Sequence, residues 1–300
     1  MTGISLLRRV VVALVALSVS FALLAGTAQA TKVPRVMAAL GDSITRGFNT
    51  SGPGCPTGPS LDCPQNSWAT GTNPTVDSVR ERLDAISPQP LTAYNDAVSG
   101  ARAVNLLGQA ETAAAQNPDF VLIEIGANDA CALPSPTPTA TFREQVRSAL
   151  QVLVSGNKQV YIQLMSIPDI NNLRTIFTEP PDPNAIGRWQ AFQVCQGLLA
   201  NPLSTEPADE ARREAFRDQV IAYNAALAEV CAEFKRCIWD DEAVFDSSFT
   251  TEDVATVANT PTADYFHPSV AGQAKLAEAA WSTTFNDWRH RNGAMAHAGG

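Results

Sequence analysis

The sequence predicts an α/β protein with a parallel sheet covered by helices on both faces. Three observations carry that expectation. Strand-like runs alternate along the chain with stretches of helical periodicity, the pattern that folds into crossover units. Phe120-Val121-Leu122-Ile123 is continuously apolar and rich in β-branched residues, as a strand buried on both faces must be. No internal repeat divides the 300 residues, and their number suits one such domain with long loops.

Before the first strand lies the one long apolar run. Arg8 and Arg9 precede the fifteen residues Val10–Leu24, and Ala28-Gln29-Ala30 supplies a small-residue cleavage site, the layout of an export signal. A membrane anchor is the competing reading, but the run falls short of the ~20 residues a spanning helix needs. Cleavage after Ala30 leaves 270 residues and, with two arginines gone, takes the net charge from −9 to −11.

Strands are expected at Val36–Leu40, Leu91–Tyr94, Phe120–Ile125 and Gln159–Met165. Phe142, Val146, Ala149, Leu150 and Leu153 recur at helical spacing, as do Phe216, Val220, Tyr223, Leu227, Val230 and Phe234. A last helix is expected at Val270–Trp288. Two segments interrupt the alternation. Thr50–Thr75 is rich in Gly, Pro, Ser and Thr, and Ile167–Gly187 holds Pro168, Pro180, Pro181 and Pro183. Both are expected as long loops after strand C-termini, where α/β folds place their sites. The expected layout is a signal at 1–30, one α/β domain at 31–288 and a disordered polar tail at 289–300.

Composition narrows the function. With 45% apolar and 17% charged residues the chain is not disordered, collagenous or a coiled coil. Its 21 basic residues against 30 acidic ones leave no broad positive face for nucleic acid. Mean hydropathy is −0.05, that of a soluble body. Six cysteines, Cys55, Cys63, Cys131, Cys195, Cys231 and Cys237, follow the signal. In an exported chain they read as three disulfides with 15 possible pairings, buried free thiols being the alternative. Short separations favour Cys55–Cys63 and Cys231–Cys237, which leaves Cys131–Cys195. No pair has CxxC spacing and there are three histidines, so no metal site is expected.

Four stretches carry chemistry. In Ala39-Leu40-Gly41-Asp42-Ser43 an apolar strand runs into a glycine and then a serine, which places a hydroxyl at the sheet's C-terminal edge. Alone, the triplet reads equally as a turn or a helix cap. Serine needs a base, and histidine is the side chain poised near neutral pH. His267 is the candidate, because His290 and His297 lie in or beside the tail. Asp264 stands three residues earlier, where one turn of backbone brings its carboxylate to the ring's Nδ1 and orients the imidazole. Ile125-Gly126-Ala127-Asn128-Asp129 follows the most apolar strand, and Ala97-Val98-Ser99-Gly100-Ala101 ends another. A turn-forming Asn and a helix-entry Gly are the plain readings of Asn128 and Gly100. As donors, the Ser43 and Gly100 N–H groups with the Asn128 amide would surround a developing oxyanion.

Together these stretches resemble the SGNH (GDSL-type) hydrolase family, over about Val36–Trp281. The resemblance implies a flavodoxin-like three-layer α/β/α fold and ester hydrolysis through an acyl-enzyme. It implies Ser43 as nucleophile, His267 as base, Asp264 as acid, an oxyanion hole of Ser43, Gly100 and Asn128, and no cofactor or metal. Ile44 stands where leucine is commoner. There is no Gly-x-Ser-x-Gly, so the α/β-hydrolase elbow is excluded.

Ser67-Trp68-Ala69-Thr70-Gly71, Ala97-Val98-Ser99-Gly100-Ala101 and Asn128-Asp129-Ala130-Cys131 look like the phospholipase B-like branch and its secreted actinobacterial lipase relatives. That implies lipid esters as substrate. Trp68, Phe177, Trp189 and Phe192 lie in or beside the two long loops and are candidates for an apolar acyl groove, or for packing those loops onto the body. A carbohydrate O-acetyl esterase is the alternative enzyme, and a secreted binding protein without turnover the alternative class. The negative charge argues against stable residence on anionic membranes. A secreted monomer is expected.

Overall fold

Val36–Gly41 forms the central strand, β1, and its residues Met37, Ala38, Ala39 and Leu40 are wholly shielded from water. The computed structural model describes residues 33–56 and 61–292. The expected signal segment lies outside the described residues. After β1 come α1 (Val79–Ile86), β2 (Thr92–Asn95), α2 (Ala103–Gln116), β3 (Phe120–Glu124), the single turn α3 (Ala127–Ala130) and α4 (Thr139–Gly156). Then follow β4 (Tyr161–Leu164), α5 (Ile170–Thr178), α6 (Pro183–Ala191), α7 (Gln196–Leu199), α8 (Pro207–Ala232), β5 (Cys237–Trp239) and α9 (Val270–Asn292).

The five strands form one parallel sheet in the order β2-β1-β3-β4-β5. This is the flavodoxin-like order, and helices flank the sheet as the alternation of elements predicts. In register, Val36 lies beside Thr92 and Met37 beside Phe120. All five residues of β3 are buried, as its unbroken apolar run requires, whereas the edge strand β2 alternates between exposed and half-buried. Chain direction across the sheet reverses between β1 and β3, and the crevice at their C-terminal ends is where such folds bind ligands.

Helix α4 buries the predicted stripe Phe142, Val146, Ala149, Leu150 and Leu153, each large side chain contributing roughly 1.5–3 kcal/mol. It packs between α2 and α8 in one layer. Across the sheet, Gln163 of β4 donates to the Ala280 carbonyl of α9, and Arg82 of α1 pairs with Glu278.

Four expectations are corrected. Strand β5 was not foreseen: its three residues are too few to show any alternation. Ile167–Gly187 is not a structureless loop but holds α5 and the start of α6. Asp169 caps α5 through the Asn171 N–H, Asp182 caps α6 through those of Asn184 and Ala185, and Pro183 occupies the first turn. Its prolines punctuate helices rather than prevent them. Helices α1 and α2 also went unassigned, although Ser78 and Glu81 form a capping box at the start of α1. Finally, α9 continues to Asn292, past the expected end at Trp288, because no helix breaker precedes Gly293. Residues 293–300 of the expected tail lie outside the described residues.

The cysteines meet in the three sequential pairs, Cys55–Cys63, Cys131–Cys195 and Cys231–Cys237. The second ties the end of α3 to the residue before α7.

Candidate active site

The Ser43 segment is shaped by glycine. At the end of β1, Gly41 has φ +141°, and a Cβ there would lie 2.1 Å from the Glu124 carbonyl oxygen. Only glycine fits. Gln109 of α2 clamps the same residue, accepting its N–H at 2.8 Å and donating to its carbonyl at 2.9 Å. The chain then turns: Asp42 Oδ1 accepts the Ile44 N–H at 2.9 Å, and Ser43 O accepts the Phe48 N–H at 2.9 Å. Ser43 stands at this turn and is buried.

His267 arrives from 224 residues away. Ser43 Oγ lies 2.8 Å from His267 Nε2, and His267 Nδ1 lies 2.6 Å from Asp264 Oδ2. The other Asp264 oxygen accepts the backbone N–H groups of Phe266 and His267, each at 2.9 Å. The three-residue spacing therefore closes a turn that holds Asp264 and His267 together, with Tyr265 between them at φ +57°. Neighbouring chain pins the turn: the Tyr265 N–H donates to Ala255 O, and the Ala255 N–H to His267 O. Phe48 and Phe266 wall the imidazole at centroid distances of 4.6 and 5.3 Å.

Burial works against the charged imidazolium. The Asp264 charge and hydrogen bond, with Asp42 and Asp62 farther off, outweigh it and hold His267 above the ordinary histidine value. Burial also opposes the Asp264 carboxylate, but His267 and the two backbone donors keep it below its usual range.

The candidate oxyanion donors gather at the same edge. Val98 N–H donates to Gly41 O at 3.1 Å, which stitches the end of β2 to β1. Two residues on, Gly100 adopts φ +81°. Among the described residues, neither the Ser43 nor the Gly100 N–H is engaged by another protein group. Asn128 differs. Its amide nitrogen donates to Asp42 Oδ2 at 3.1 Å and to Ala101 O at 3.0 Å, so both of its protons have protein acceptors. The structure thus brings Asn128 to the expected edge but does not leave its amide free.

Two acids beneath the site carried no role in the sequence reading. Asp42 is fully buried, and burial, reinforced by Asp129, pushes it up to about 6 despite the donors Ile44 and Asn128 and the nearby His267. Glu124, at the end of β3, is buried with no hydrogen-bond partner on either oxygen; burial and the neighbouring Asp42 and Asp240 hold it well above its usual range. The apolar strand around Glu124 was the only signal, a carboxylate in a fully buried run.

Against His267 opens a groove of about 200 Å³. Ile44, Pro168, Leu173, Phe245, Phe249 and Phe266 give it an apolar wall, and the Arg217–Asp169 ion pair lies on its rim. The aromatics proposed for an acyl groove are elsewhere. Trp68, Phe177 and Trp189 are buried packing residues, and Phe192 is exposed under Arg188. Loop aromatics pack inward because burying a large ring yields more than lining a wet groove. Among the described residues no group of three or more His, Cys, Asp or Glu side chains is arranged to hold a metal ion. No described helix is long and apolar enough to cross a membrane.

The rat protein "Phospholipase B1, membrane-associated" is 26% identical over 181 residues, 49% of this chain and 12% of that protein, so the chain spans a small part of its length. Among solved structures, the lipase/acylhydrolase of Enterococcus faecalis is 19% identical at a TM-score of 0.49, covering 86% of this chain and 96% of that one. An extracellular lipase of Streptomyces rimosus is 18% identical at 0.49, covering 83% and 99%. The profile of the GDSL-like lipase/acylhydrolase family matches residues 37–280. That stretch starts in the strand that delivers Ser43 and ends in the helix that follows His267, and by it the chain belongs to the GDSL-like lipase/acylhydrolase family.

Proposed function

We propose that this protein hydrolyses carboxylic esters through an acyl-enzyme on Ser43. The continuous hydrogen-bonded line from Ser43 Oγ through His267 to Asp264 carries this reading. His267 Nε2 takes the hydroxyl proton as Oγ attacks the ester carbonyl, and the imidazolium is stabilised by Asp264. The N–H groups of Ser43 and Gly100 receive the oxyanion. Asn128 joins them by sharing one proton now given to Asp42 or Ala101. His267 then returns the proton to the leaving alkoxide, and water repeats the sequence to release the acid.

The substrate we propose is a lipid ester, because the wall of the groove beside His267 is largely apolar. Export out of the cytoplasm fits the three cysteine pairs, which persist in oxidising compartments. A fluorophosphonate probe should label Ser43 in the wild type and not in Ser43→Ala, which should lose all turnover while keeping its thermal midpoint. Turnover by a clean Ser43→Ala preparation sinks the mechanism. Chain-length profiling with para-nitrophenyl esters should favour chains beyond butyrate; a preference for acetate would instead identify a carbohydrate O-acetyl esterase.

A further inference from the structure

From sequence Trp189 reads either as a groove residue or as loop packing, and the structure gives its buried ring a further use. Its ring is wholly buried, and its indole Nε1–H donates to the carbonyl oxygen of Tyr265 at 3.0 Å, across 76 residues of chain. An indole N–H in this protein need not be matched: that of Trp68 is buried with no partner. The bond from Trp189 lands on the one residue whose conformation holds acid and base together.

Tyr265 is left-handed at φ +57°, a conformation that residues with a side chain disfavour. It lets the N–H groups of Phe266 and His267 fold back onto Asp264 Oδ1. Both peptide groups of Tyr265 are tied from outside the turn. Its N–H is held by Ala255, and its carbonyl by Trp189 of α6. Phe177 of α5 meets both rings edge-on, at 6.0 Å from Trp189 and 5.3 Å from Tyr265. The α5–α6 pair follows β4 and makes no strand of the sheet. Four residues past α6, Cys195 is bonded to Cys131, three residues beyond Asn128.

We infer that Trp189 is a positioning residue for the Asp264–His267 pair: through its hydrogen bond to the Tyr265 carbonyl it fixes the turn that aims the imidazole at Ser43. This rests on the proposed triad for its meaning, but not for its test. The other charges felt by His267, Asp42 and Asp62, sit on separate segments of the chain. Deleting the indole N–H leaves the Tyr265 carbonyl buried and unmatched, relaxes the turn and loosens the contact between Asp264 and the ring. His267 then loses part of the support that raises it.

The test is an NMR titration of the His267 imidazole in Trp189→Phe beside the wild type, with Phe177→Leu as a packing control. Trp189→Phe should move the midpoint down by about half a pH unit or more. It should lower kcat about tenfold with KM within about twofold, the pattern of a mispositioned base. Phe177→Leu should lower the thermal midpoint and leave the titration in place. If Trp189→Phe does not fold, the benzothiophene isostere of tryptophan at 189 keeps the shape and deletes the N–H alone. An unmoved His267 midpoint in a folded Trp189 variant overturns the inference, and so does an equal shift in Phe177→Leu. Absence of esterase activity in the wild type would overturn the functional reading instead, and the titration would still decide the role of Trp189.

Discussion

Asp42 Oδ2 accepts a hydrogen bond from Asn128 Nδ2 at 3.1 Å, joining the residue before Ser43 to the turn after β3. The same amide nitrogen reaches Ala101 O, so one side chain spans the ends of three adjacent strands. Asn128 is held in place before any substrate arrives. Such preorganisation is what makes electrostatic stabilisation effective, since no reorganisation is needed at the moment of reaction.

Truncation at this point should therefore be costly to chemistry. Asn128→Ala should lower kcat by about 10²–10³ with a smaller change in KM. Steady-state kinetics on a medium-chain ester check it. A large rise in KM at constant kcat would make Asn128 a ground-state binding group.

Asp42 should be a stability liability retained for the site. Folding raises its value from 3.8 to about 6, so the native state holds the proton more tightly than the unfolded chain. The penalty is absent below about pH 3.8, grows between there and about 6, and is complete above. Asp42→Asn should accordingly stabilise the protein by up to about 3 kcal/mol at pH 7 and by nothing at pH 3.5. Urea melts at the two pH values measure this, and activity should fall in the same variant because Asn128 loses a charged acceptor.

The acid limb of kcat/KM should lie above the ordinary histidine value of about 6.5, since His267 must be neutral to accept the serine proton and Asp264 raises it. Asp264→Asn should move that limb to lower pH and reduce kcat by about 10⁴. A limb that stays in place would show that the ion pair does not govern the titration.

Mild reduction should lower activity while far-ultraviolet circular dichroism is still native. Cys131–Cys195 closes a loop of 64 residues, and its loss should cost up to roughly 4 kcal/mol of unfolding free energy on the chain-entropy model. Peptide mapping of the unreduced protein should return the three sequential pairs. Unchanged activity with Cys131 demonstrably reduced would separate the bridge from the Asn128 turn.

Where information is local, the sequence by itself determined the outcome. The unbroken apolar run of Phe120–Ile123 made β3 a strand buried on both faces, and the periodic stripe from Phe142 to Leu153 made α4. The three-residue spacing of Asp264 and His267 closed its own turn, and two short cysteine separations left the third pair by elimination. Periodicity, caps and short loops act within a few residues, so they can be read one segment at a time. Only the tertiary structure decided the rest. Strand order brings Ser43 within 2.8 Å of a ring 224 residues away. The groove wall draws Phe245 and Phe249 from a stretch with no periodicity, and Asn128 spends its protons on Asp42 and Ala101. Trp189, aromatic and beside a long loop, reads as either groove or packing, and only the fold makes its buried indole a donor to the Tyr265 carbonyl. Which polar group a buried side chain meets depends on what the sheet and its flanking layers place opposite it, and no local pattern encodes that.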